Sequence, residues 1–139
     1  MCVFVFFFRR FDEPLDEELV VWYRDLFRKV AEHEVRTGAW QLLQAGGWPD
    51  NQSCRNLIAW SWTPDGDAGS VRGHVVVVNL SAAQAQAQIP LPWPDLPGRE
   101  WNLLDLLSGA DFPRDGGQLA GSGLYVDLPP GQSYLLAVR

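Results

Sequence analysis

Val75-Val76-Val77-Val78-Asn79-Leu80-Ser81 is the stretch on which the fold turns. β-Branched side chains are stiff at χ1 and favour extended backbone, so four valines in succession call for a buried strand. Asn79 and Ser81 bring that strand to a polar stop. Just upstream, Pro64 to Ser70 (Pro-Asp-Gly-Asp-Ala-Gly-Ser) is dense turn chemistry. Arg55 to Thr63, before the turn, is a second strand-like run. The two runs read as a hairpin, 55–63 against 71–80.

The same alternation extends in both directions. Ala85, Ala87 and Ile89 alternate with Gln84, Gln86 and Gln88, as in a strand with one face in solvent. Pro90 to Pro97 carries four prolines and cannot be a central strand. Trp101 to Leu107 is a further apolar run. Ser108 to Gly123 is glycine-rich and reads as loop, with a short strand near Gln118 to Ala120. Leu124 to Leu128 and Ser133 to Val138 read as a last pair around Pro129-Pro130-Gly131. Upstream, Ala39 to Gln44 is a short strand and Gly46 to Ser53 a loop.

Asp16 to Thr37 is the one long helical stretch, with Leu19, Trp22, Tyr23, Leu26, Phe27 and Val30 on one face. Asp16 suits the N-cap, and Gly38 suits the stop. The expected fold is mainly β: an antiparallel β-sandwich of seven to eight strands with one N-terminal α-helix packed on it. The expected division is 1–38, an apolar strand-like segment and the amphipathic helix, and 39–139, the sandwich.

At 139 residues the chain suits one core, burying about two-thirds of its unfolded surface. The net charge is −6, Lys29 is the only lysine and the arginines are scattered, so nothing makes a phosphate-binding stripe and nucleic acid is not an expected partner. Cys2 and Cys54 follow no metal or redox spacing, which fits a reducing, cytoplasmic setting. The apolar run Cys2 to Phe8 is shorter than the roughly 20 residues needed to span a bilayer. Its charges, Arg9 and Arg10, follow it rather than precede it. It reads as a strand, with neither a membrane nor a signal-peptide role.

Several segments together resemble the C-terminal region of alpha-amylase superfamily glycoside hydrolases. Leu19 to Phe27 (Leu-Val-Val-Trp-Tyr-Arg-Asp-Leu-Phe) is similar to that family's last barrel helix. Gly38-Ala-Trp-Gln-Leu-Leu43 is similar to the start of its sandwich, and Leu57-Ile-Ala-Trp60 with Val75 to Ser81 to its central hairpin. Trp101-Asn-Leu-Leu-Asp105-Leu-Leu-Ser-Gly109 and Gly123-Leu-Tyr-Val-Asp-Leu-Pro-Pro130 are similar to later segments. The resemblance covers about Asp12 to Arg139. It implies a β-sandwich following a (β/α)8 barrel, whose strands carry the family's catalytic carboxylates. No barrel strands occur here, so the expectation is a non-catalytic accessory domain, with no catalytic residue and no enzyme activity of its own. The resemblance implies that it is either a fragment or a stand-alone remnant.

Candidate chemistry is sparse. Asp105, Asp111, Asp115 and Asp127 are scattered over strand ends and loops, and Asp105 suits a structural role where a strand meets a turn. Asp65-Gly66-Asp67 lacks the remaining ligands of a calcium loop, so no metal or other cofactor is expected. His33 and His74 have no partner ligands in view, and Cys54 reads as a buried thiol. Seven tryptophans are the one binding signal. Trp22, Trp40, Trp60, Trp62 and Trp101 lie in regular elements and are expected in the core. Trp48 and Trp93 lie in Gly/Pro-rich loops, where an exposed indole stacks on a sugar ring. The alternative function is therefore a carbohydrate (alpha-glucan) binding module using those two residues. The helix face and Val3 to Phe8 need cover, which makes a homodimer through them a candidate; a glycoside hydrolase barrel and an alpha-glucan are the other candidate partners.

Overall fold

The computed structural model describes residues 14–65 and 71–139. Its first element, α1 (Glu17–Glu32), starts where Asp16 accepts a hydrogen bond from the Leu19 N–H at 3.0 Å. That side chain satisfies one orphan donor of the first turn. The helix ends at Glu32, five residues short of Thr37, its expected last residue. Glu34 takes a left-handed φ of 50°, and the turn carries Val35 inward against Leu106, Leu135 and Ala137. Burial of one valine outweighs another helical turn of charged residues.

Eight strands follow among the described residues: β1 (Ala39–Leu43), β2 (Leu57–Thr63), β3 (Gly73–Asn79), β4 (Ala85–Ile89), β5 (Glu100–Asp105), β6 (Asp111–Asp115), β7 (Leu124–Leu128) and β8 (Ser133–Val138). A short helix, α2 (Gly116–Gly121), lies between β6 and β7. All pairings are antiparallel. One sheet runs β1-β2-β3-β8-β5-β6 and the other is β4-β7 alone. The fold is thus the expected mainly β sandwich with one long helix.

The hairpin of β2 and β3 is in register from Leu57↔Asn79 to Trp62↔His74. Val75 and Val77 face the core with Ala59, Leu103, Leu136 and Val138, opposite Ala85, Ala87, Ile89, Leu124, Val126 and Leu128 of the small sheet. The loop after β4 closes one end with Trp93 and Leu96.

Two expectations need correction. β7 and β8 do not pair: β7 joins β4, and β8 sits between β3 and β5. Pro129-Pro130-Gly131 therefore carries the chain from one layer to the other. The stretch read as loop contains β6 and α2, and α2 stands where a short strand near 118–120 was expected. β6 carries Pro113 and lies at the sheet edge, the place where a strand tolerates a missing N–H.

The outer face of the large sheet is apolar as well. By register it presents Trp40 and Leu42 on β1, Ile58, Trp60 and Trp62 on β2, and Val76 on β3. α1 covers the part nearest β8 through Leu26 and Val30. Lys29 donates to the Leu107 carbonyl at 3.1 Å and anchors it there.

Candidate functional site

The loop tryptophans part company. Trp93 is 3% exposed. Its indole N–H donates to the Thr63 hydroxyl at 2.8 Å, and the Arg72 guanidinium lies 5.6 Å over the ring. Gly73 lets it in: a Cβ there would stand 2.4 Å from Trp93 Cζ2. Trp93 has no free face for a sugar, which corrects the expectation, because a loop indole beside a glycine seals the core edge instead. Trp48 is half-buried, with its ring 6.1 Å from Tyr125 at an interplanar angle of 60°.

The tryptophans of regular elements are likewise not all core. Trp101 is buried and donates to the Leu96 carbonyl at 2.8 Å. Trp22 and Trp40 are 52% and 53% exposed, and Trp60 and Trp62 are half-buried. The strand tryptophans fall on the outer face of the large sheet, which α1 covers only in part.

Asp105 is buried at the β5 turn as expected, accepting from the N–H groups of Leu107, Ser108 and Leu135 and from the Ser108 hydroxyl. Asp115 caps α2 through the Gln118 N–H. Asp111 accepts from the Asn102 amide at 2.9 Å. Asp105 and Asp115 thus serve the backbone of a turn and of a helix start, and Asp111 a cross-strand side-chain contact. Cys54 is a buried core side chain. His74 is buried, with neither ring nitrogen hydrogen-bonded among the described residues, and burial pushes its pKa down to about 4. His33, Glu34, Asp65 and His74 line one shallow recess. Among the described residues no three His, Cys, Asp or Glu side chains form a metal set, and most of the Asp65-Gly66-Asp67 turn lies outside them.

One polar array gathers on the small sheet. The Gln84 and Gln86 amides donate to the two Asp127 oxygens at 2.6 and 3.0 Å, and the Asn51 amide donates to Gln86 at 2.8 Å. These amides hold the Asp127 carboxyl below its usual range. Beside Asp127 a cleft of about 130 Å³ opens between β6 and β7, walled by Phe112, Arg114 and Tyr134 and floored by Leu103, Leu124 and Leu136. Sequence reasoning missed Phe112 and Arg114 because it missed β6. The available signal was the alternation in Asp111-Phe112-Pro113-Arg114-Asp115, masked by the proline and the flanking glycines.

No protein-family model and no curated protein matches the chain. Among solved structures it is similar to a Bacillus halodurans C-125 protein to which alpha-N-acetylgalactosaminidase activity has been ascribed. The two are 17% identical with a TM-score of 0.45, over 72% of this chain and 21% of that one. The chain thus spans about a fifth of that protein's length. The sandwich assignment here rests on the strand pairings themselves. Among the described residues no helix is long and apolar enough to cross a membrane.

Proposed function

We propose that the chain is a non-catalytic accessory domain of the alpha-amylase type, docking against a glycoside hydrolase barrel through its outer apolar face. One observation carries this reading. The side of the large sheet on which α1 lies leaves Trp22, Tyr23, Phe27, Trp40, Leu42 and Ile58 in solvent. A soluble monomer rarely exposes so many large apolar groups together, and such patches mark interaction surfaces. Aromatic side chains are also the residues that dominate interface cores. On this reading α1 belongs with the barrel, and 39–139 form the sandwich that braces it.

The test mixes the purified chain with an alpha-amylase-type barrel whose own sandwich has been removed. Sedimentation velocity should show a complex. Trp22→Glu combined with Phe27→Glu should abolish it while shifting Tm by no more than about 2 °C, because both side chains stand in solvent. The chain alone should release no nitrophenol from a nitrophenyl glucoside. Turnover by the chain alone, or a complex indifferent to the double variant, would overturn the reading. Self-association of the chain alone, lost in the same variant, would identify a second copy as the occupant instead.

A carbohydrate-binding role is the second reading. It is favoured by the exposed ring of Tyr125, packed on Trp48, beside the amide and carboxylate array of Asn51, Gln84, Gln86 and Asp127.

A further inference from the structure

We propose that the cleft between β6 and β7 binds one ring-sized unit of a neutral sugar. The proposal rests on the carbohydrate-binding reading and gives it a site distinct from the loop tryptophans.

The cleft follows from the unequal layers. Six strands face only two, and the cleft opens where β6 faces β7, whose strand partner is β4. Register sets which side chains are left facing the gap. Phe112 pairs with Leu103, Arg114 with Trp101, and Tyr134 with Val77. Those three partners point into the core, so Phe112, Arg114 and Tyr134 share their face. β7 forms the other wall and contributes Tyr125 and Asp127. The opening of about 130 Å³ is near the roughly 150 Å³ of a protein cavity that takes benzene. It suits a single six-membered ring and excludes drug-sized ligands.

The lining chemistry selects the kind of ring. Phe112 and Tyr134 meet edge to face at 5.8 Å over a floor of aliphatic side chains, a surface for the C–H faces of a pyranose. The Asp127 carboxylate is fixed by its two amide donors, with the Tyr125 hydroxyl also bearing on it, which leaves lone-pair capacity for a ligand hydroxyl. Arg114 donates to its neighbour's carbonyl, Pro113, at 2.8 Å. Its other guanidinium N–H groups have no partner among the hydrogen bonds of the described residues. A vicinal diol donates to a carboxylate and accepts from a guanidinium, and both contacts are charge-assisted. A ligand with net charge of either sign would meet one like charge at this rim, so neutral sugars are favoured. Trp48 packs behind Tyr125 and supports the rim without entering the cleft lining.

The test is a titration of the ¹⁵N-labelled full chain with glucose, galactose, xylose and maltose, followed by amide chemical shifts. Saturable shifts are expected at Phe112, Tyr125, Asp127 and Tyr134. Arg114→Ala and Asp127→Asn should each weaken binding at least about tenfold, since each removes a charge-assisted contact. Trp48→Ala should change affinity by less than about threefold, a neighbour's effect on a ring it supports. If Arg114→Ala loses its spectral dispersion, Arg114→Gln keeps most of the aliphatic stem, removes the charge and must itself weaken binding; unchanged affinity there would overturn the cleft. Shifts confined to the surroundings of Trp48, lost in Trp48→Ala and indifferent to Arg114→Ala, would also overturn the cleft while leaving the second reading intact. No shift with any of the four sugars would overturn both.

Discussion

Asn79 shows how one side chain joins the two layers. Its amide donates to the carbonyls of Ala83 at 2.7 Å and of Leu128 and Pro129 at 3.0 Å. Its oxygen accepts from the Ser81 N–H and hydroxyl. It thereby clasps the end of β3 to the approach of β4 and the end of β7. Asn79→Ala would strand buried carbonyls, each costing about 1–3 kcal/mol less whatever water reaches. The expected loss is about 3 kcal/mol by urea unfolding; a change under about 1 kcal/mol would show that water replaces the clasp. His74 makes the complementary point about charge. Its folded pKa of about 4 lies below the ordinary 6.5, with burial as the main cause and the nearby His33 adding to it. Between those values the unfolded chain takes up a proton that the native state refuses. Stability should therefore be unaffected above pH 6.5, fall as pH drops towards 4, and level off below. The expected loss is roughly 2 kcal/mol after allowing for solvent near the ring. His74→Val should flatten that slope in unfolding experiments at pH 7, 5.5 and 4.5; an equal slope would assign it to carboxylates. At this scale the sequence showed that Asn79 ends a strand and that Asp105 serves a turn. It could not show that Asn79 bridges three segments, because Leu128 and Pro129 are about 50 residues away.

Elements were legible where their signal is local. The N-cap of α1, the β2–β3 hairpin and the alternation of β4 follow from side-chain chemistry within a few residues. The end of α1 was not, because a tertiary contact of Val35 decides it. The junction after α1 has its own constraint. Gly38 has φ 90°, and a Cβ there would stand 2.0 Å from the Thr63 carbonyl oxygen. That close approach seats the start of β1 against the end of β2. Gly38→Ala should destabilise the fold by about 2 kcal/mol or more, from the clash and the positive φ together. A urea midpoint close to that of the unaltered chain would mean that β1 shifts without loss. β6 escaped detection for the opposite reason: as an edge strand it need not be apolar on either face. With it went Phe112 and Arg114, two residues of the cleft wall.

For the whole molecule, the decisive fact is asymmetry: six strands against two, with a helix covering only part of the larger sheet's far side. The asymmetry creates both candidate surfaces, the exposed apolar side and the cleft beside β7. Phe27 is 65% exposed although its helical spacing marks it as an apolar-face residue, so amphipathicity identified the face without identifying its cover. The amino-acid sequence by itself determined the β class, the central hairpin, the capped helix and the lack of a compact ligand motif. These depend on backbone preference and on periodicity over neighbouring residues. The tertiary structure alone decided that β7 leaves β8 for β4, that Trp93 is sealed while Trp40 is bare, and that Arg114 and Asp127 line one cleft. Alternation shows that a strand has two faces; only the packing of distant segments decides which face is covered and which side chains meet across the gap.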